Sequence, residues 1–428
     1  MTTAIARHNS IFDWFTVEKA QAFLVSMIFI SSFYVKFEPA PCDVFFGITL
    51  IFCLGSGLNL TTTIMPLFLF LLIYNFAGLF SYMLVPYDAL DSTAYLIGLA
   101  ETSVPGVFFA TYIAADPVRR YEQIIRAYWI GATIGAALGL CSYFRIEQIS
   151  TLFPDFAGRA LGGYKDPNVF STWLVLPAIT MLQGFILGTL RVRLLSVTSF
   201  LLIFLALFLA FSRGAWINAV MATVMMAGLT FLLSPSNGLR SRIVFSTVFG
   251  FVFLAVAIAI LLSIPATRDL FLDRFTLVKD YDTGETGRFG NQLNAISMLV
   301  QLPFGFGPYQ FAAIFNLAPH NTFLNSFAST GWVGGFAYIL LVVSNFFIGF
   351  KTVLLRTPFQ PAAIAVYSCL VAVTLQDVQI DTEHWRHMYW MTGIVWGFFS
   401  ASFAYMHTPP SLAEIVKTWN FQQRGSTV

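Results

Sequence analysis

Long apolar runs cut by short polar turns dominate the chain, and most are of bilayer-crossing length. By the criterion of roughly 20 consecutive apolar residues there are about twelve. They lie near 19–35, 43–58, 62–84, 93–115, 121–143, 167–188, 194–211, 214–233, 242–264, 322–349, 359–376 and 388–407. The second, seventh and eleventh are short. The runs are continuous rather than alternating, so the pattern predicts helices and not the strands of a membrane barrel. An all-α, polytopic membrane helix bundle of about twelve transmembrane helices is the expected fold class, with residues 1–428 as one membrane domain.

The polar breaks differ in sign from one side to the other. Every second connection carries unbalanced cations: Arg119 and Arg120, Arg191 and Arg193, Arg240 and Arg242, Lys351 and Arg356, Lys417 and Arg424. Lys and Arg resist translocation in short loops, so these connections are predicted to be cytoplasmic, with both termini on that side. The other connections mix signs, holding Glu38, Asp88 and Asp91, the stretch 145–166, and the stretch 377–387. The longest, 265–321, is expected as a large periplasmic loop. Within it NQLNAISMLVQL (291–302) places Leu293, Ile296, Leu299 and Val300 on one predicted helical face suited to an apolar surface. The FGFGP segment (304–308) then breaks that helix.

Composition strengthens the membrane reading. Apolar residues make up 57% of the 428 positions and charged residues only 10%, too few to clothe a soluble chain of this length. The stretch 1–20 lacks a small-x-small cleavage site after its apolar run, so it is expected to be a cytoplasmic tail rather than a removable signal. Cys42, Cys53, Cys141 and Cys369 are scattered with no metal-ligand spacing. A net charge of +2 gives no reason to expect a nucleic-acid partner.

Candidate chemistry gathers on the predicted outer side. Arg213 sits in FSRGAW (211–216), between two apolar runs. An interfacial arginine reaching for lipid head groups is the plain alternative. Against it, Arg213 lies where topology needs no cation, on a minimal turn beside a glycine, and a guanidinium there suits two-pronged binding of a phosphate. Arg288, in TGETGRFGN (283–291), is either a solvated loop residue or a second phosphate ligand. His320 and Asn321, in PHNTF (319–323), open the tenth run. A neutral histidine there can take a proton from a sugar hydroxyl, and Asn321 offers a donor and an acceptor. The loop QDVQIDTEHWRHMYW (376–390) brings Asp377, Asp381, Glu383, His384, Arg386 and His387 beside aromatic rings. That mixture suits sugar contact as well as an interfacial aromatic belt, and Asp381 and Arg386 are its substrate-binding candidates. KDPN (165–168) reads first as a helix start, with Lys165 as a further substrate-binding candidate. Glu101 lies inside a run, where a carboxylate is costly. No metal and no cofactor is expected.

Taken in order, SRGAW (212–216), TGR (286–288), FGFGPYQF (304–311) and HNTFLNSFASTGWVGG (320–335) resemble the O-antigen ligase and polymerase superfamily of envelope glycosyltransferases. KDPN is similar to that family's Asn-Pro-Asn-type segment, and the resemblance runs from about residue 120 to 400. It implies a bacterial inner-membrane enzyme that is metal-independent and inverting, with its site on the periplasmic face. The implied donor is a glycan on undecaprenyl pyrophosphate. Arg213 and Arg288 would hold the pyrophosphate and His320 would serve the acceptor hydroxyl. The implied acceptor is lipid A-core for a ligase, or another lipid-linked repeat for an O-antigen or exopolysaccharide polymerase; membrane lipid is the remaining partner. A twelve-span transporter or lipid flippase is the alternative of another class. It would place charges at the bilayer midplane in repeated, broken helices, and the chain shows no repeat.

Overall fold

The computed structural model describes residues 16–57, 60–84, 89–153, 156–234, 236–275, 284 and 287–407. Among them the structure is helical, with two isolated bridges and no strand. The first five helices are α1 (Val17–Ser31), α2 (Pro41–Ser56), α3 (Met65–Leu84), α4 (Ala89–Ala115) and α5 (Pro117–Tyr143). A short α6 (Glu147–Leu152) leads to α7 (Pro167–Trp173) and α8 (Val175–Leu187), which together form one interrupted rod. Then come α9 (Leu194–Leu209), α10 (Arg213–Leu233), α11 (Asn237–Leu262) and α12 (Pro265–Phe275). The chain ends with α13 (Arg288–Leu299), α14 (Gln310–Phe315), α15 (Thr322–Leu354), α16 (Gln360–Gln376) and α17 (Arg386–His407).

Each of the twelve apolar runs falls on one of these helices, with α7 and α8 sharing one. Among the described residues seven helical stretches are long and apolar enough to cross a membrane, so this is a multi-pass membrane protein. The three runs read as short are the shorter apolar helices α2, α9 and α16. The termini 1–15 and 408–428 lie outside the described residues, as does most of DYDTGETGR (280–288).

Local chemistry explains where the helices begin. Pro117 and Pro167 occupy first-turn positions that need no N–H, each preceded by an aspartate cap. Asp116 accepts from the Arg119 amide (3.1 Å) and Asp166 from the Asn168 amide (2.6 Å). Helix α17 packs along α4 and α15 along α3, forming the centre of the bundle. Gly393 faces the Gly106 carbonyl so closely that any side chain there would collide, the small-residue contact that lets membrane helices approach. Phe29, Phe109, Tyr128 and Trp390 interlock beside it, with the Phe29 and Trp390 rings 4.9 Å apart. Helix α11 lies at the rim and shows Phe245, Val248, Phe249, Val252 and Val256 outward, as a lipid-facing helix must.

Helix α15 is broken at Gly331, whose φ of 68° belongs to the left-handed region. The freed amide of Trp332 donates to the Pro303 carbonyl (2.9 Å), so the FGFGP loop satisfies the break. Trp332 Nε1 reaches the Leu299 carbonyl (2.8 Å) and ties α13 to the same kink.

Helix α13 departs from its predicted pattern in one respect. Leu293, Ile296 and Val300 are exposed, joined by Phe289, but Leu299 is buried with Ala295 against α14 and α15. The helix therefore has two apolar sides, one turned to the protein and one turned away.

Candidate functional site

Three chain turns and the loop after α16 are linked at one end of the bundle. The first is the turn between α9 and α10. Phe211 adopts a left-handed conformation, Ser212 caps α10, and Arg213 is the first helical residue. Gly214 lies against the Gln376 side chain, and even a methyl there would overlap it. One turn on, Asn218 Nδ2 donates to Gln376 Oε1. The Arg213 turn is thus pressed onto the end of α16.

A buried arginine braces this turn from behind. Arg159 donates from Nε to the Ala210 carbonyl (2.7 Å) and from Nη2 to Asn168 Oδ1 (2.9 Å). The Ala160 amide adds a bond to the Leu209 carbonyl (2.9 Å). KDPN therefore does more than start a helix: Asp166 caps it, and Asn168 reaches Arg159.

The second turn carries His320 and Asn321. Asn321 caps α15 by accepting from the Leu324 amide (3.0 Å). The backbone amides of His320 and Asn321 each donate to one oxygen of Asp381, both at 3.0 Å. This fork holds His320 in the left-handed region (φ 47°), a conformation that costs a non-glycine residue energy unless its surroundings enforce it. His320 Nδ1 lies 4.0 Å from Asp381 Oδ2, and the ring is partly exposed. Thr322 completes the seam, with its amide on the Asp377 carbonyl (2.7 Å) and its hydroxyl on the Ile380 carbonyl (2.9 Å).

The third turn is the start of α13. Arg288 follows the capping Gly287, and its guanidinium lies 4.8 Å from the Phe289 ring centre. On the next turn Gln292 Nε2 donates to the Pro319 carbonyl (2.8 Å), directly beside His320. Arg288 is therefore one helical turn from the residue that adjoins His320.

Below these turns Asp377, Thr382 and Glu383 of the loop after α16 are polar and buried. Asp377 accepts from Tyr338 (2.7 Å) and Thr382 (2.6 Å), while Glu383 Oε1 accepts from Asn325 (2.6 Å) and Tyr95 (3.3 Å). Burial, and then the neighbouring Glu383 charge, push the Asp381 carboxyl up to about 7, against the opposing bonds from Asn321 and His320. The position of Asp381 suits it to holding the His320 turn.

The other sequence candidates find partners elsewhere. Arg386 forms a two-pronged pair with Asp43 (2.7 and 2.6 Å), and Lys165 pairs with Glu38 (3.2 Å); both partners lie in or just after the α1–α2 connection. Glu101 lies close to the Asp43 carboxylate and within the field of Arg386. Among the described residues no group of three or more His, Cys, Asp or Glu could hold a metal ion. Arg159, Gln292 and Gln376 escaped the sequence reading. Asn218 and Asn325 carried a signal, being amides inside apolar runs.

Residues 197–339 match the family model described as O-antigen ligase, and Arg213, Arg288 and His320 all fall inside that stretch. The resemblance to the O-antigen ligase and polymerase superfamily is thereby upheld. No curated protein matches the chain.

Proposed function

We propose that the protein is an O-antigen ligase-like glycosyltransferase working at the periplasmic face of a bacterial inner membrane. It moves a glycan from undecaprenyl pyrophosphate to a sugar hydroxyl of lipid A-core, without a metal and with inversion. All twelve apolar runs cross the bilayer in this reading, with both termini cytoplasmic. The observation that carries it is the family match over a segment whose three candidate turns are stitched together through Gln376, Asp381 and Pro319.

His320 accepts the proton of the acceptor hydroxyl as that oxygen attacks the anomeric carbon from the face opposite the leaving group. The bond between that carbon and the pyrophosphate oxygen breaks, and its electron pair leaves with undecaprenyl pyrophosphate. Arg213 and Arg288 stabilise the charge gathering there, the role for which preset guanidinium donors are suited. Asn321 orients sugar hydroxyls and Asp381 fixes the His320 turn. Arg386 and Lys165 serve the substrate indirectly, by fastening the α1–α2 connection.

A reconstituted transfer assay with purified lipid-linked donor tests the assignment. Arg213→Ala, Arg288→Ala and His320→Ala should each lower transfer at least a hundredfold, on the order of 3 kcal/mol or more in the barrier, with membrane insertion intact. Wild-type rates in the two arginine variants would refute the pyrophosphate role. Supplying lipid A-core and a second lipid-linked repeat as rival acceptors separates the ligase from the polymerase reading.

A further inference from the structure

A second feature lies at the opposite end of the bundle. Helix α4 passes Tyr95, beside His384, and ends at Ala115, and Asp116 then turns the chain into α5. There a groove of about 440 Å³ opens between α1 and α5. Small residues, Ala22 and Ser26 on α1 and Ala127 on α5, make its floor, and Ile30 and Ile130 continue it away from the Asp116 turn. The polar groups of the floor are already bonded: Gln123 Nε2 donates to the Ala22 carbonyl (2.6 Å) and to Ser26 Oγ (3.2 Å). What remains available is a charged rim above an apolar channel.

That rim reaches deep. Arg126 lies nine residues beyond Pro117, about 13 Å along a helix rising 1.5 Å per residue. With the Asp116 turn placed at the membrane surface, as the proposed topology has it, a headgroup layer of only about 6 Å per leaflet leaves Glu122 and Arg126 rooted at or below its inner edge. Their side chains are 48% and 70% exposed. Ions so placed need water or an ionic partner. They have each other at 3.0 Å, through one guanidinium nitrogen, and one turn nearer the surface Arg119 bonds Glu18 likewise through one nitrogen (2.5 Å). The rim thus sets two guanidinium groups and the Glu122 carboxylate along the groove, with Glu18 bonded to Arg119 just outside it.

We propose that this groove is a binding site for one zwitterionic phospholipid whose headgroup bears a phosphate and a primary ammonium. The phosphate lies between Arg119 and Arg126, each of which retains an edge of N–H donors beyond its single carboxylate bond. The ammonium lies on Glu122, and an acyl chain follows Ala22, Ser26 and Ala127 towards Ile30 and Ile130. A headgroup with a phosphate alone would place no cation on Glu122, the carboxylate that lines the groove.

The full chain, placed in nanodiscs of equal phosphatidylethanolamine, phosphatidylglycerol and phosphatidylcholine and released into mild detergent, is examined by native mass spectrometry. Wild type should retain one phosphatidylethanolamine per chain, at least fivefold over either rival. Arg126→Gln should lower retention of all phospholipid at least fivefold. Glu122→Gln should hold total lipid within twofold while the preference for phosphatidylethanolamine over phosphatidylglycerol falls below twofold. Ala22→Leu, which fills the floor and leaves every charge in place, should expel the lipid with the thermal midpoint unchanged. Absence of bound lipid in wild type, equal retention of the three lipids, or a second copy of the chain seated in the groove would overturn the site. The readout is bound lipid, so it stands apart from glycan transfer.

Discussion

The His320 turn and the start of α13 lie side by side, yet different forces hold them. The His320 turn is fixed by polar bonds: two backbone amides on Asp381, and Thr322 on the loop that follows α16. Helix α13 is held by longer-range polar bonds from Asn291, Gln292 and Trp332, and by a small apolar cluster that includes Ala295, Leu299, Phe306 and Phe311 and is separate from the main core. Its far side shows Phe289, Leu293, Ile296 and Val300 to the surroundings. One neighbour is therefore set by the protein alone, while the other is completed by whatever covers that ridge. In the proposed enzyme the proton acceptor is rigid, and one of the two phosphate ligands rides on a helix whose seat is shared with the membrane surface.

The sharpest way to break that contrast is at Asp381. Alanine there leaves two partly buried amides without their acceptor, at about 1–3 kcal/mol each, and removes the fork that keeps His320 left-handed. Transfer by Asp381→Ala should fall about a hundredfold in the reconstituted assay, with the protein still folded and inserted. Transfer within threefold of wild type would mean that the turn holds its shape without the fork.

The same carboxyl gives a smaller effect, visible in stability. Its native value is raised to about 7 from an ordinary value near 4, chiefly by burial. The native state therefore binds this proton more tightly than the unfolded chain does. The stability that this group contributes is fully present below about pH 4 and is lost as pH rises through about 7. The thermal midpoint of the wild type should drop between pH 5 and pH 8, and Asp381→Asn should reduce that drop. An equal drop in both proteins would assign the pH dependence to another group.

How much of this was legible in the sequence depends on the range over which each residue acts. Helix positions were, because a run of apolar residues is a local property, and α2, α9 and α16 even announced their shortness. Arg213, Arg288 and His320 were singled out as candidates by residue type and by motif order, and their roles belong to the proposal. The fork between Arg386 and Asp43 joins positions 343 apart, and nothing in spacing along the chain carries that. Arg159 looked like one more cation in an outer loop; only burial and its bonds to Ala210 and Asn168 set it apart. Leu299 was assigned to the wrong side of α13 for a physical reason. A helix with one apolar side packed on the protein and another turned away is apolar on two faces, and periodicity alone does not divide them.

That division supplies the mildest test of the comparison. Leu293→Ser with Val300→Ser makes the outer ridge polar and leaves Ala295, Leu299 and the bonds of Gln292 and Trp332 untouched. Neither residue is packed inside, so the fold should keep its thermal midpoint in detergent. In a bilayer the helix loses the burial of two apolar side chains, about 1.5–3 kcal/mol each as an upper bound. Arg288 should then meet the donor less often, while the His320 turn, held by Asp381, is unaffected. The expected result is a KM for lipid-linked donor raised three- to tenfold at nearly constant kcat in proteoliposomes. A fall in kcat at constant KM would show instead that the outer ridge reaches the reacting centre, and that α13 and the His320 turn act as one rigid unit.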